Sequence, residues 1–399
     1  FFWSKNLIKI KPMIQYDKTD LEHAFLVDEA NSLRNAQFIE KLQYNVIHKN
    51  LTSLKSQKNI LIRIGFFVLG SFLYSSICGF ISLIAIDSFD ENYKFLVYLF
   101  AIIGFIGTEF LTKQKFYGYG LDDAFMIGSQ LYLALAVGIS TDGNELAIAL
   151  TITISSLLSY LRYVQVPMAV LFCLSASASI IYMMFELGTI GKTILPFVMM
   201  VFAIAGYLCS KSILKKLSKP FYTKGLVLVS SFSLILFYLS GNYLVVRELS
   251  VALLAADIAP NSDIPFAFFF YAFTFIVPVG FLVYSLVKKD RIMLWIGLLS
   301  LAFSIYTIRF YYSILPIETV LTIGGLFLFA FTYFAIKRIK NNTTGITFQP
   351  DRFTPANAIG NAEALITSQL GLNPEIKTPE SPMKFGGGDF SGGGSGGSF

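Results

Sequence analysis

The sequence predicts an all-α membrane protein, a polytopic transmembrane bundle of about ten helices. The first indication is composition: the 399 residues are 55% hydrophobic and 14% charged, with a mean hydropathy of +0.64, which soluble domains do not normally reach. The second is that ten apolar windows are long enough to cross a hydrocarbon core of ~30 Å. The third is that the ten-residue alternation of a membrane barrel does not occur.

The expected spans follow one another with short connections. They cover residues 60–85, 95–112, 122–140, 145–161, 164–186, 191–209, 225–246, 264–287, 291–312 and 317–336. Peptide groups in hydrocarbon must bond within their own segment, so each window is expected to form a helix. Three regions result: a cytoplasmic helical segment (1–58), the ten-span domain (59–338) and a flexible Gly/Ser/Phe tail (339–399).

Charge in the connections predicts the orientation. One alternating set of loops holds eleven Lys and Arg residues and the other set holds three. Because cytoplasmic loops retain Lys and Arg, the basic set is expected to face the cytoplasm. Both termini fall on the basic side, so the chain is expected to begin and end in the cytoplasm.

Residues 14–58 predict a small helical hairpin. Thr19 and Glu22 fit a capping box, and a second helical stretch runs from Phe38 to Val46. The hairpin is expected to dock on the bundle's own cytoplasmic end; the alternative is that it recognises a partner.

The basic segment from Lys211 to Lys219 interleaves Ile and Leu with lysines, which is typical of a helix lying at the headgroup surface. Its candidate contacts to membrane lipid are Lys211, Lys215, Lys216 and Lys219. The alternative is that these lysines only set orientation.

The last sixty residues change to linker chemistry rich in Gly, Ser and Pro, and are expected to be disordered. Three aromatic residues stand alone in the glycine, namely Phe385, Phe390 and Phe399. They either bind a protein partner or are scattered residues of a solubilising tail.

Ionisable side chains in or at the ends of spans are the default candidates for function, because each is costly in hydrocarbon. They are Glu109, Asp122, Asp123, Glu186, Arg309 and Glu318. Glu109 is expected to pair with Lys113, one turn later. Arg309 and Glu318 are expected to form an ion pair across a short turn, and the two aspartates fit a helix N-terminus.

The sequence offers no catalytic constellation. No His lies in any span, the three Cys residues are far apart, and no hydrolase elbow, zinc-protease or nucleotide-binding motif occurs. We therefore expect no catalytic residues, no metal site, no cofactor and no nucleic-acid partner.

The first span reads Ile60-Leu-Ile-Arg-Ile-Gly-Phe-Phe-Val-Leu-Gly-Ser-Phe-Leu-Tyr-Ser-Ser-Ile-Cys-Gly79. It resembles the start of uncharacterised bacterial multi-pass membrane proteins, a family of unknown function, whose first span has a similar glycine spacing. The glycine-serine tail is similar to the ends of other bacterial membrane proteins. The resemblance implies a bacterial cytoplasmic (inner) membrane and no activity, so no residue roles are carried over.

Three functions stay open. The leading hypothesis is a non-enzymatic accessory or scaffold component of a membrane assembly, with the hairpin and tail as contact elements. The alternative is a secondary transporter of a small neutral or lipophilic solute. The third is a membrane enzyme acting on a lipid-linked substrate, to which three acidic residues of the outer loop would contribute, namely Glu248, Asp257 and Asp263.

Overall fold

The computed structural model is all-helical, which confirms the predicted fold class. It describes residues 14–51, 54–57, 59–84, 89–217, 220–254, 263–311, 317–339 and 341. In these ranges the α-helices are α1 (Lys18–Asn35), α2 (Lys41–Asn50), α3 (Ile60–Ile84), α4 (Phe89–Lys113), α5 (Leu121–Ser140), α6 (Glu145–Tyr163), α7 (Val166–Glu186), α8 (Gly188–Lys216), α9 (Thr223–Gly241), α10 (Tyr243–Leu254), α11 (Ala267–Lys288), α12 (Arg291–Tyr311) and α13 (Ile317–Ile339). No β-strand occurs in them; a single parallel bridge joins Lys55 and Phe116.

The chain is an integral, multi-pass membrane protein. Within the described ranges, nine helices are long and apolar enough to cross a membrane, and they are α3 to α9, α11 and α12. The tenth expected span, 317–336, lies within α13, which is not among these nine helices. The side chains on the surface of these helices are largely apolar, as a hydrocarbon solvent requires.

The end of the seventh span differs from the sequence prediction. The seventh span, expected to reach residue 246, ends at Gly241, and α10 begins as a separate helix after Asn242. The side chain of Asn242 accepts hydrogen bonds from the N–H groups of Leu244 and Val245 and so caps the new helix.

The prediction of a separate surface helix over residues 211–219 is wrong. Residues Lys211 to Lys216 continue α8, which runs for 29 residues from Gly188 and contains Pro196. The lysines lie in the last two turns of that helix, where cations interact favourably with the helix dipole.

The bundle is built from pairs of consecutive helices. The closest neighbours are α4 with α5, α6 with α7, α8 with α9, and α11 with α12, and α5 also packs against α3 and α6. We call the end at which α4, α6, α8 and α11 finish the basic end. Its connections are tied together, for example by Lys211 Nζ and Asp290 Oδ2 at 2.7 Å.

The N-terminal hairpin docks on the basic end, as expected. Tyr16 and Leu21 are buried in one apolar cluster with Met126 and Met168, from α5 and α7. The capping prediction was wrong in its residue, because Asp17 caps α1 by accepting a hydrogen bond from the Thr19 N–H at 3.0 Å. That bond lowers the pKa of Asp17.

The turn before α5 depends on a glycine. Gly120 has φ +107°, and a Cβ added there would collide with the Arg63 carbonyl oxygen of α3. Gly120→Ala is expected to destabilise the protein by about 2 kcal/mol or more, because an L side chain strains this backbone conformation and separates α3 from α5. The thermal midpoint of the purified chain in mild detergent measures this.

Gly65→Ala is the matched control, since nothing lies within 4 Å of a Cβ added to Gly65 in α3. It should leave the midpoint unchanged or raise it slightly. Equal midpoints for the two variants would contradict the close approach of α3 to the turn.

Candidate functional site

A buried carboxylate organises the basic end. Asp122, in the first turn of α5, is fully buried and accepts hydrogen bonds from the backbone N–H groups of Gly118 (2.7 Å), Tyr119 (2.9 Å) and Gly120 (3.1 Å). Gly118 and Gly120 both have positive φ, which turns their N–H groups toward the carboxylate. The negative charge thus lies at a helix N-terminus inside a ring of donors, as the sequence predicted for this residue type.

Gln165 connects this carboxylate to the hairpin. Its side-chain amide donates to Asp122 Oδ2 at 2.6 Å and lies 3.4 Å from the Tyr16 hydroxyl. Tyr16 donates in turn to the Phe116 carbonyl at 2.5 Å. Burial, and then the charge of Asp122, raise the pKa of Tyr16, so the phenol keeps its proton and acts as a donor at neutral pH.

Asp123 has a different partner. Arg63, in the first turn of α3, donates from Nε at 2.8 Å and lies with Nη2 at 2.6 Å from the same Asp123 oxygen. The other oxygen, Oδ1, is buried with no hydrogen-bond partner among the described residues. The pair fixes the start of α3 to the start of α5.

The ion pair predicted for Glu109 with Lys113 is replaced by one with Arg162, and Lys113 contributes only a weaker electrostatic attraction. Glu109 Oε1 accepts hydrogen bonds from Arg162 Nε and, at 2.8 Å, from the Tyr163 hydroxyl, both on α6. Arg162 Nη2 also donates to Gln15 Oε1 at 2.9 Å. An ionised side chain near hydrocarbon is stabilised more by a hydrogen-bonded partner on a neighbouring helix than by a flexible lysine at the membrane interface.

We call Arg63, Glu109, Asp122, Asp123, Arg162 and Gln165 the polar cluster. The structure brings three predicted candidates together at the basic end, namely Glu109, Asp122 and Asp123. Sequence reasoning missed Arg63, Arg162 and Gln165. Arg63 carried a signal, because a charge three residues inside an apolar run calls for a buried partner.

The remaining ionisable candidates lie at the opposite end. Glu186 ends α7 with an exposed side chain, and Glu318 is exposed in the first turn of α13. Arg309 is half-buried, and its Nη1 has no hydrogen-bond partner among the described residues. In the described ranges no ion pair joins Arg309 to Glu318, so the predicted pair is absent.

The predicted lipid contacts divide into two kinds. Lys211 is engaged with Asp290, whereas Lys215 and Lys216 are exposed at the end of α8. Lys219 lies outside the described residues, as do the three tail residues Phe385, Phe390 and Phe399.

A cleft of about 410 Å³, the hairpin cleft, separates α2 from the basic end. Its walls carry charges of both signs, from Asp28, Arg63 and Lys224, and include the imidazole of His48. Lys224 Nζ lies 2.5 Å from Asp28 Oδ2. Nearby, burial and then the charges of Asp28 and Asp122 raise the pKa of Tyr117 to about 12, so this phenol also stays protonated.

A second cavity, of about 550 Å³, lies between α6, α7, α8 and α9. Its lining is almost entirely apolar and includes Phe172, Phe202 and Phe232. The hydroxyl groups of its two tyrosines donate hydrogen bonds within the protein. Tyr160 donates to the Tyr222 carbonyl at 3.1 Å, and Tyr222 donates to the Leu161 carbonyl at 3.0 Å.

The polar cluster holds helices together and offers no nucleophile with an adjacent base. Across the described part of the chain, no group of three or more His, Cys, Asp or Glu side chains is placed to bind a metal ion. Cys78 and Cys173 are buried thiols, and Cys209 is exposed.

No family model matches the chain, and neither does any curated protein or solved structure. A functional assignment therefore rests on this chain's own residues.

Asp122→Asn tests the buried carboxylate. Four N–H donors converge on the Asp122 carboxylate, whereas an amide side chain has a single acceptor oxygen. The NH₂ group of the introduced asparagine would therefore face N–H donors with which it cannot form hydrogen bonds. We expect a loss of about 3 kcal/mol, which follows from removing charge-assisted hydrogen bonds in a buried site. The thermal midpoint in mild detergent measures the loss.

Asp142→Asn makes the same chemical change at an exposed turn, where φ is +52° and Asn is tolerated. It should leave the midpoint unchanged. A midpoint for Asp122→Asn equal to that of Asp142→Asn would contradict the role of Asp122.

Proposed function

We propose that this chain is a non-enzymatic accessory or scaffold component of a membrane assembly and that α2 contacts a protein partner. One observation carries the proposal. Leu42 and Val46 lie one turn apart on α2 and are 72% and 60% exposed, and Phe38, in the turn before α2, is 53% exposed. An apolar stripe of this kind, outside the membrane-crossing helices, is typical of an interaction surface.

The hairpin presents this stripe on a fixed base. Helix α1 is anchored to the bundle by its buried residues and by the ion pair of Asp28 with Lys224. Helix α2 packs on α1, where the Arg34 guanidinium lies 4.5 Å from the centre of the Tyr44 ring. A reciprocal pair of hydrogen bonds between Glu40 and Gln43 caps the start of α2.

The stripe points away from the bundle. Tyr44 and His48 line the hairpin cleft and therefore face the bundle. Leu42 and Val46 each lie two positions from Tyr44, a rotation of about 200° around the helix, which places them on the opposite side. A protein surface fits this position better than the bilayer does.

The other two functions have thinner support. The apolar cavity between α6 and α9 favours transport of a lipophilic solute, but the charged candidate Glu109 does not line it. Two of the acidic residues that an enzyme would use at the opposite end are engaged by tyrosines: Asp263 accepts from Tyr243 at 2.5 Å and Glu248 from Tyr311 at 2.7 Å. The third, Asp257, lies outside the described residues.

For location we propose the bacterial cytoplasmic membrane, with the basic end and both termini in the cytoplasm. The loop charges and the resemblance of the first span support this.

Cysteine labelling tests the orientation. In a variant whose native cysteines are replaced, Lys215→Cys is expected to react with a membrane-impermeant maleimide only after the cells are permeabilised. Asp142→Cys, in the exposed turn at the opposite end, should react in intact cells. Labelling of Lys215→Cys in intact cells would show the opposite orientation.

Polar substitution of the stripe tests the association. The double variant Leu42→Ser/Val46→Ser should reduce the amount of any stoichiometric partner that copurifies in mild detergent at least tenfold. The reason is that each buried apolar side chain contributes about 1.5 kcal/mol or more to an interface. Quantitative mass spectrometry of the purified full chain measures the ratio.

Val251→Ser is the control, because Val251 is an exposed apolar residue of α10 at the opposite end. It should retain the partner. A wild-type chain that purifies alone, or equal retention by all variants, would contradict the proposal.

A further inference from the structure

A groove of about 850 Å³ runs along the surface of the bundle between α4 and α6. Its walls are mostly apolar and include Phe105, Ile106, Ile154 and Leu158. Ile106 and Ile154 are more than half exposed on helices that cross the membrane, so the groove opens sideways into hydrocarbon.

The groove is about one leaflet deep. It extends from Ile102 to Lys113 along α4 and from Thr151 to Arg162 along α6. Each stretch rises by about 16 Å at 1.5 Å per residue. Half of a ~30 Å hydrocarbon core is about 15 Å, which is the depth that one acyl chain fills.

Only the basic end of the groove is charged. Lys113, Arg162 and Glu109 lie there, and they carry two positive charges and one negative charge. Because Glu109 is neutralised by Arg162, the exposed ammonium group of Lys113 is the excess charge. Lys113 is the last residue of its membrane-crossing helix, which is where a span of this length reaches the headgroup region.

We propose that this groove is a specific site for an anionic phospholipid from the leaflet at the basic end. The acyl chain lies between α4 and α6, and the phosphate group is held by the ammonium group of Lys113. A water-soluble anion does not fit the site, because the walls below the charged end face hydrocarbon. The acyl chain of a neutral lipid would also fit the apolar walls of the groove, but its headgroup would not neutralise the positive charge of Lys113.

The test uses the purified, delipidated full chain in mild detergent, titrated with phosphatidylglycerol and separately with phosphatidylcholine. Native mass spectrometry counts the bound lipids. We expect one preferred phosphatidylglycerol, whose dissociation constant rises about fivefold in Lys113→Ala, the effect of one lysine near an anionic headgroup. Phosphatidylcholine binding should not change.

Lys288→Ala is the matched control, because Lys288 is an exposed lysine at the same end, in the last turn of α11, but outside the groove. It should leave phosphatidylglycerol binding unchanged. Equal losses in Lys113→Ala and Lys288→Ala, or equal affinity of the wild type for the two lipids, would overturn the proposal.

Ser155→Phe tests the groove itself, since Ser155 lines the apolar part without carrying charge. The larger side chain should reduce phosphatidylglycerol binding while the thermal midpoint stays at the wild-type value. Full phosphatidylglycerol binding by this variant would show that the lipid lies elsewhere, and would also overturn the proposal.

Discussion

The helices of this bundle and the placement of its charged side chains both depend on one constraint, the absence of water in the surrounding hydrocarbon. A peptide group in hydrocarbon must find its hydrogen bond inside the protein, so the apolar runs have no alternative to helix. The same constraint places the ionisable groups. The buried carboxylate of Asp122 is stabilised by hydrogen bonds from three backbone N–H groups and from Gln165. The carboxylate of Asp123 is stabilised by its ion pair with Arg63. The polar cluster therefore lies at one end of the helices, where the chain turns supply donors.

One side chain joins the two surfaces to which we assign roles. Arg162 donates to Glu109 at the charged end of the α4–α6 groove and to Gln15 just before the hairpin. The position of the hairpin, and with it the apolar stripe on α2, is thus linked by a single guanidinium to the membrane-facing groove. A planar group with several donors suits such a junction better than a lysine would.

The helices could be predicted from the sequence because an apolar window is a local property. The pairs of the polar cluster could not. Asp122 and Gln165 are 43 residues apart, Glu109 and Arg162 are 53 apart, and their meeting depends on which helices pack together. Local rules instead favoured Lys113 as the partner of Glu109. The extension of α8 was missed because the periodicity of residues 211–216 fits a surface helix and a protruding helix end equally well.

The docking of the hairpin also sets an order of events during synthesis. Asp28 and its partner Lys224 are separated by 196 residues, and Leu21 packs in the same cluster as Phe221. At ~5–20 residues per second, a ribosome needs roughly 10–40 s to make that interval. Helix α1 is thus complete long before the surface it covers exists, and its apolar face must be shielded from aggregation until seven later helices have entered the bilayer.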